Sequence, residues 1–188
     1  MKIRILTTIL MSLLLSNGWA SAIFVHCYDF GCKSNQRIEF SPQQWEQVSA
    51  LFATIENESE EKQSLRKAIA LMERFSGELT GTSLDVGGNY PGRDIPKQMD
   101  CIDESTNTFQ YLYAIEALNL LKWHKIGLKK RRIVWFISHW TAVIEETRTK
   151  QKFAIDSWYR DNGELPYIQP LADWQVKNDF TKKYNPEI

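Results

Sequence analysis

The sequence predicts a single α+β domain, and three observations carry that reading. The 188 residues are 43% hydrophobic, enough to bury one sizeable core. Apolar residues recur at helical spacing in three separate stretches: Trp45 to Ile55, Leu65 to Phe75 and Phe109 to Leu121. From position 133 to 158 the pattern changes to short strand-like runs, two of them joined by the polar turn Thr147-Arg148-Thr149-Lys150.

The chain opens with Lys2 and Arg4, an apolar run from Ile5 to Leu15, and the small-residue sequence Ala20-Ser21-Ala22. Met1–Ala22 reads as a signal peptide directing the protein to the periplasm or outside the cell, with residues 23–188 as the domain. The apolar run is shorter than the ~20 residues a span needs, and no other segment could cross a bilayer. Removing the leader takes away two basic residues and leaves the 23 acidic ones ahead by two. That balance argues against a nucleic-acid partner, and the run Lys129-Lys130-Arg131-Arg132 reads as a solvated turn.

Cys27 and Cys32 flank a tight turn and can close a small disulfide loop in an oxidising compartment. Cys101 is then the odd thiol, which calls for a reason in an exported protein.

Ser41-Pro42-Gln43-Gln44 supplies an N-cap, a proline for the first turn and a capping box for a first helix. Ser59 is placed to cap a second one, which ends at Gly77, and the two form a helical hairpin over the core. The segment from Thr80 to Pro96 holds Gly81, Gly87, Gly88, Pro91, Gly92 and Pro96, which excludes a long regular element. It leads straight to Cys101, so it can wall a cleft, with Asn89, Tyr90 and Gln98 as candidate substrate or oxyanion contacts.

A long helix begins near Asp100 and stops at Gly127, which puts Cys101 in or just before its first turn. Ile133 to Ile137 reads as a buried strand. His139 to Glu146 and Gln151 to Trp158 read as a hairpin. Its centre, between Thr147 and Arg148, makes His139 and Asp156 cross-strand neighbours within a residue or two. The tail from Arg160, with Tyr167, Trp174 and Phe180, is expected to pack back as short strands and loops. His124 reads as a helix-end residue, and His26 has no assigned partner.

A nucleophilic cysteine needs an activated thiol, a base and a group that orients the base. A helix N-terminus can favour the Cys101 thiolate, His139 can move the proton, and Asp156 can hold the imidazole. Backbone N–H groups near Cys101 can meet an oxyanion. Asp100, Asp103 and Glu104 oppose this by placing negative charge near the sulfur. Either they bond to the helix start, or a cation such as calcium neutralises them. The chain lacks the compact ligand pairs of a zinc site.

Cys, His and Asp in this order, separated by 38 and then 17 residues, resemble the transglutaminase-like branch of the papain-type fold. Asp100-Cys101-Ile102-Asp103, His139-Trp140-Thr141-Ala142-Val143 and Ala154-Ile155-Asp156-Ser157-Trp158 match its three motif regions, within residues 90–158. The resemblance implies a helix carrying the cysteine, packed on an antiparallel sheet carrying the histidine and aspartate. It implies acyl transfer from a peptide or protein substrate through a thioester, resolved by water or an amine, with no required cofactor. The acidic flank is similar to that of periplasmic transglutaminase-like cysteine proteinases, some of which depend on calcium and clip adhesins. Ile102 departs from that group, where an acid commonly follows the cysteine.

Overall fold

A computed structural model describes residues 23–89, 94–134 and 136–176. The expected signal segment Met1–Ala22, Tyr90 and Phe180 lie outside them. The architecture is α+β, with two antiparallel sheets and four helices among the described residues.

Strands β1 (Ile23–Tyr28) and β2 (Ser34–Glu39) pair antiparallel around the loop closed by the Cys27–Cys32 disulfide. Asp29, Phe30, Gly31 and Cys32 all take left-handed backbone conformations there. Three of them carry a side chain in a region that disfavours one, so the covalent closure holds an intrinsically costly turn. The other edge of β1 is met by side chains of the third helix. Asn107 donates to Cys27 O and accepts from Cys27 N, and Gln110 makes the same pair with Val25.

Helix α1 (Pro42–Ala50) has the capping box expected at Ser41 and Gln44. Helix α2 (Glu58–Thr80) packs beside it and runs through Gly77, its expected end, to stop on left-handed Gly81. Its N-cap is Asn57 and not Ser59, because the Asn57 carboxamide oxygen reaches the Glu60 amide at 2.9 Å. Helix α3 (Cys101–Ala117) lies across a four-stranded sheet in the order β3-β4-β5-β6. The strands are β3 (His124–Val134), β4 (Ile137–Glu146), β5 (Lys152–Asp156) and β6 (Tyr167–Pro170), followed by the short α4 (Leu171–Val176).

One apolar cluster joins Trp45 and Val48 of α1, Leu65, Ile69 and Met72 of α2, and Leu112 and Ile115 of α3 to Ala142, Ile144 and Ile155 of the sheet. A smaller one puts Leu171 and Trp174 of α4 against Val143 and Ala154. The alternation along β4 thus buries both faces of the sheet, one under α3 and one under α4.

Four local expectations are corrected. Gly127 does not stop α3, whose C-cap is Leu118; it lies in β3 beside a bulge, where a Cβ would come 2.9 Å from Val143 Cγ1. The basic run is strand and not turn, and Arg132 within it is buried. Ile133 to Ile137 is not one buried strand: it spans the end of β3 and the start of β4, with Ile133 62% and Phe136 99% exposed. His124 is not at a helix end but opens β3, buried, with Nδ1 2.9 Å from Glu61 Oε1. The Glu61 carboxylate also accepts from the amides of Lys122, Trp123 and His124, which fastens α2 to the entry of β3.

Candidate active site

Cys101 is the first residue of α3, half-buried, and the one unpaired cysteine. The helix starts there because Asp100 caps it. The Asp100 carboxylate accepts from the amides of Ile102 at 2.9 Å and Asp103 at 3.0 Å, and the Asp103 side chain accepts from Asp100 N at 3.1 Å. This reciprocal box satisfies amides that would otherwise be orphaned at the helix start. Asp103 also accepts from Cys32 N, which ties the disulfide loop to the turn that bears Cys101.

The β4–β5 ladder begins at Ala142 opposite Ile155. Carried one step further, that register sets Asp156 level with Thr141 and His139 two residues along on the same face. The diagonal contact is made: His139 Nε2 lies 2.7 Å from Asp156 Oδ2, with both side chains buried. Nε2 is thereby committed to Asp156. His139 is enclosed by the rings of Trp158, Tyr159 and Trp174, at centroid distances of 5.0, 5.2 and 5.7 Å.

Cys101 and His139 open into the same cavity, of 510 Å³, with Ser138, Gly88, Phe30 and Trp158 among its walls. The Cys101 sulfur points at Ser138 O, 3.8 Å away. Burial pushes the thiol up to about 12; a hydrogen bond from the Trp140 amide opposes the rise, while Asp100 and Asp156 add to it. The resting thiol is protonated.

Asn89 and Gln98 are placed in a neighbouring 660 Å³ cavity and do not line the one that holds Cys101. Their side chains brace the loop. Asn89 Nδ2 donates to Asp85 Oδ1 and Gln98 Oε1, and Gln98 also bonds Val86 N and Leu84 O.

The three acids beside the cysteine do not share one point. Asp100 and Asp103 are engaged in the helix cap, and Glu104 is buried near Glu73 and Asp85. Among the described residues, one set of three His, Cys, Asp or Glu donor atoms falls within 4.8 Å, namely Cys27, Cys32 and Asp103, and its two sulfurs are bonded to each other. Among the described residues, Asp100, Asp103 and Glu104 do not bring three carboxylate oxygens within 4.8 Å of one another. Burial raises Glu73, Asp85 and Asp103 to about 7 each, and lifts Glu104 well above its ordinary range. Glu73 Oε1 and Glu104 Oε2 are buried without hydrogen-bond partners.

Sequence reasoning missed a second donor to Asp156. Trp174 Nε1 donates to Asp156 Oδ2 at 2.8 Å, and Arg132 stacks 4.7 Å from the Trp174 ring and donates to Trp174 O and to the Tyr159 hydroxyl. No local pattern announces this, since Trp174 reaches Asp156 only through the fold of the tail. Arg132 is the Cα partner of His139 across β3 and β4, a pairing that needs the bulge to be known. No protein-family model, curated protein or solved structure matches this chain.

Proposed function

We propose that the chain is an exported cysteine hydrolase, a protease or amidase with a transglutaminase-like core, using Cys101, His139 and Asp156. The observation that carries this reading is the 2.7 Å bond between His139 Nε2 and Asp156 Oδ2, at a cavity that His139 shares with a cysteine at a helix start. The Cys27–Cys32 disulfide accords with the periplasm or the extracellular space.

With the thiol near 12, deprotonation is coupled to attack. His139 Nδ1 takes the proton as sulfur adds to the carbonyl carbon, and Asp156 stabilises the imidazolium. The Cys101 amide, which takes no part in the Asp100 cap, is the helix-start N–H that receives the oxyanion. Collapse breaks the C–N bond, the amine leaves with the proton from His139, and a thioester remains. Water, deprotonated by His139, then releases the acid and restores the thiol. An amine in place of water would make the same chain an acyltransferase.

A second reading, a non-catalytic binding or assembly module on this scaffold, is favoured by the elevated thiol. Alkylation of Cys101 by iodoacetamide across pH separates the two. A hydrolase labels near neutral pH and loses that labelling in His139→Ala, by ~10²-fold or more. A module labels only at strongly alkaline pH, with or without His139. Peptide-substrate screening of wild type against Cys101→Ala then identifies the reaction.

A further inference from the structure

We infer that the Cys101 cleft selects acyl donors with a large apolar side chain on the residue that supplies the attacked carbonyl. This rests on the hydrolase reading above and specifies its substrate class.

Phe30, Ile102, Phe136, Ile137 and Trp158 surround the cavity that exposes Cys101 and His139. Phe136 is 99% exposed, Ile137 41% and Ile102 36%. Soluble proteins seldom leave adjacent large apolar side chains uncovered without a ligand to cover them. Their positions along the chain place them beside the reacting atom. Ile102 directly follows Cys101, and Phe136-Ile137 directly precedes Ser138, whose carbonyl oxygen lies 3.8 Å from the sulfur. A side chain they cover therefore belongs to the residue under attack and not to a distant part of the substrate.

Charge narrows the class. No lysine or arginine is among the described residues lining this cavity, so these walls offer an anionic side chain no counter-ion. The charged group that does line it is Asp100, whose carboxylate already accepts two backbone hydrogen bonds at the helix cap. That carboxylate repels an anion and offers a cation a partner already committed to the cap. Apolar contact is what the remaining surface supplies.

N-acetylated chloromethyl ketones of Phe, Leu, Gly, Lys and Asp, with iodoacetamide as the reference alkylator, test this on the full-length mature protein. The Phe and Leu reagents should alkylate Cys101 at least about tenfold faster than the Gly reagent, with Lys and Asp no faster than Gly. In Phe136→Ser, a change at a fully exposed position, the Phe-to-Gly rate ratio should fall toward one, and Ile102→Ser should lower it too. Equal rates for all five reagents, or a preference for Lys or Asp, would overturn the substrate class while His139-dependent iodoacetamide labelling leaves the hydrolase standing. Absence of that labelling near neutral pH overturns both.

Discussion

Trp174 Nε1 donates a hydrogen bond to the same Asp156 oxygen that holds His139, so one carboxylate oxygen serves two buried donors. Trp174→Phe keeps the ring and removes the N–H. The variant should lose about 1.5–3 kcal/mol of stability by urea denaturation, the range for a bond to a charged group. A purely structural role for Trp174 would end there. A positioning role for Asp156 also requires the pH profile of His139-dependent Cys101 alkylation to shift, because Asp156 keeps one of its two donors.

Asp100 has opposed effects that a single substitution can separate. Its carboxylate caps α3 and also raises the Cys101 thiol. Asp100→Asn retains a capping oxygen and removes the charge, so alkylation of Cys101 should quicken with little change in unfolding midpoint. Asp100→Ala should quicken it too, but with about 1 kcal/mol of stability lost.

The buried acids set an alkaline limit on stability. Glu73, Asp85, Asp103 and Glu104 bind protons more tightly folded than unfolded. Their contribution is fully present below the unfolded carboxylate range, about pH 4, and is lost as pH rises through about 7. The urea midpoint should fall between about pH 4.5 and 7.5, the span from the unfolded carboxylate range to the folded values near 7. Glu104→Gln, which cannot ionise, should flatten that fall and add about 1–3 kcal/mol at the upper end.

Glu61 sets the acid limit. Burial alone would raise its carboxyl, but the bonds from His124 and the amides of Lys122, Trp123 and His124 outweigh it and hold the group below its ordinary range. Stability from this site is present above about pH 4.5 and lost as pH falls further. Glu61→Gln should cost about 1–3 kcal/mol at pH 6, because its NH2 group cannot accept from the backbone amides that the second carboxylate oxygen serves. Thermal unfolding of the two proteins at pH 6 checks it.

Thiol counting checks the covalent frame. Unfolded without reductant, the mature chain should show one reactive thiol, Cys101, and three after reduction. Reduction should also cost about 2 kcal/mol of stability, as expected for so short a loop.

What was legible in the sequence was local. Ser41 and Gln44 announced the start of α1 because a capping box lies within four residues. The polar turn after Glu146 placed His139 and Asp156 within two positions of register, because a hairpin carries its own symmetry point. The errors came where a residue's role is set across the sheet. Gly127 has the look of a helix stop, yet Val143 of the next strand is what excludes a side chain there. Arg132 sits in a run of four basic residues, and only the β3–β4 register turns it inward to Trp174. Gln98 and Asn89 precede the cysteine on the loop that leads to it, but they bond to each other and to that loop and do not line its cavity.

The amide pairs that Asn107 and Gln110 make with Cys27 and Val25 bear on self-association. A two-stranded sheet ordinarily offers its outer edge as a template on which another chain can add a strand. Here two helix side chains occupy that edge, each matching one backbone donor and one acceptor as a neighbouring strand would. A molecule in which Asn107 and Gln110 are replaced by alanine would bare that row of donors and acceptors, and oligomers growing along β1 are the expected outcome.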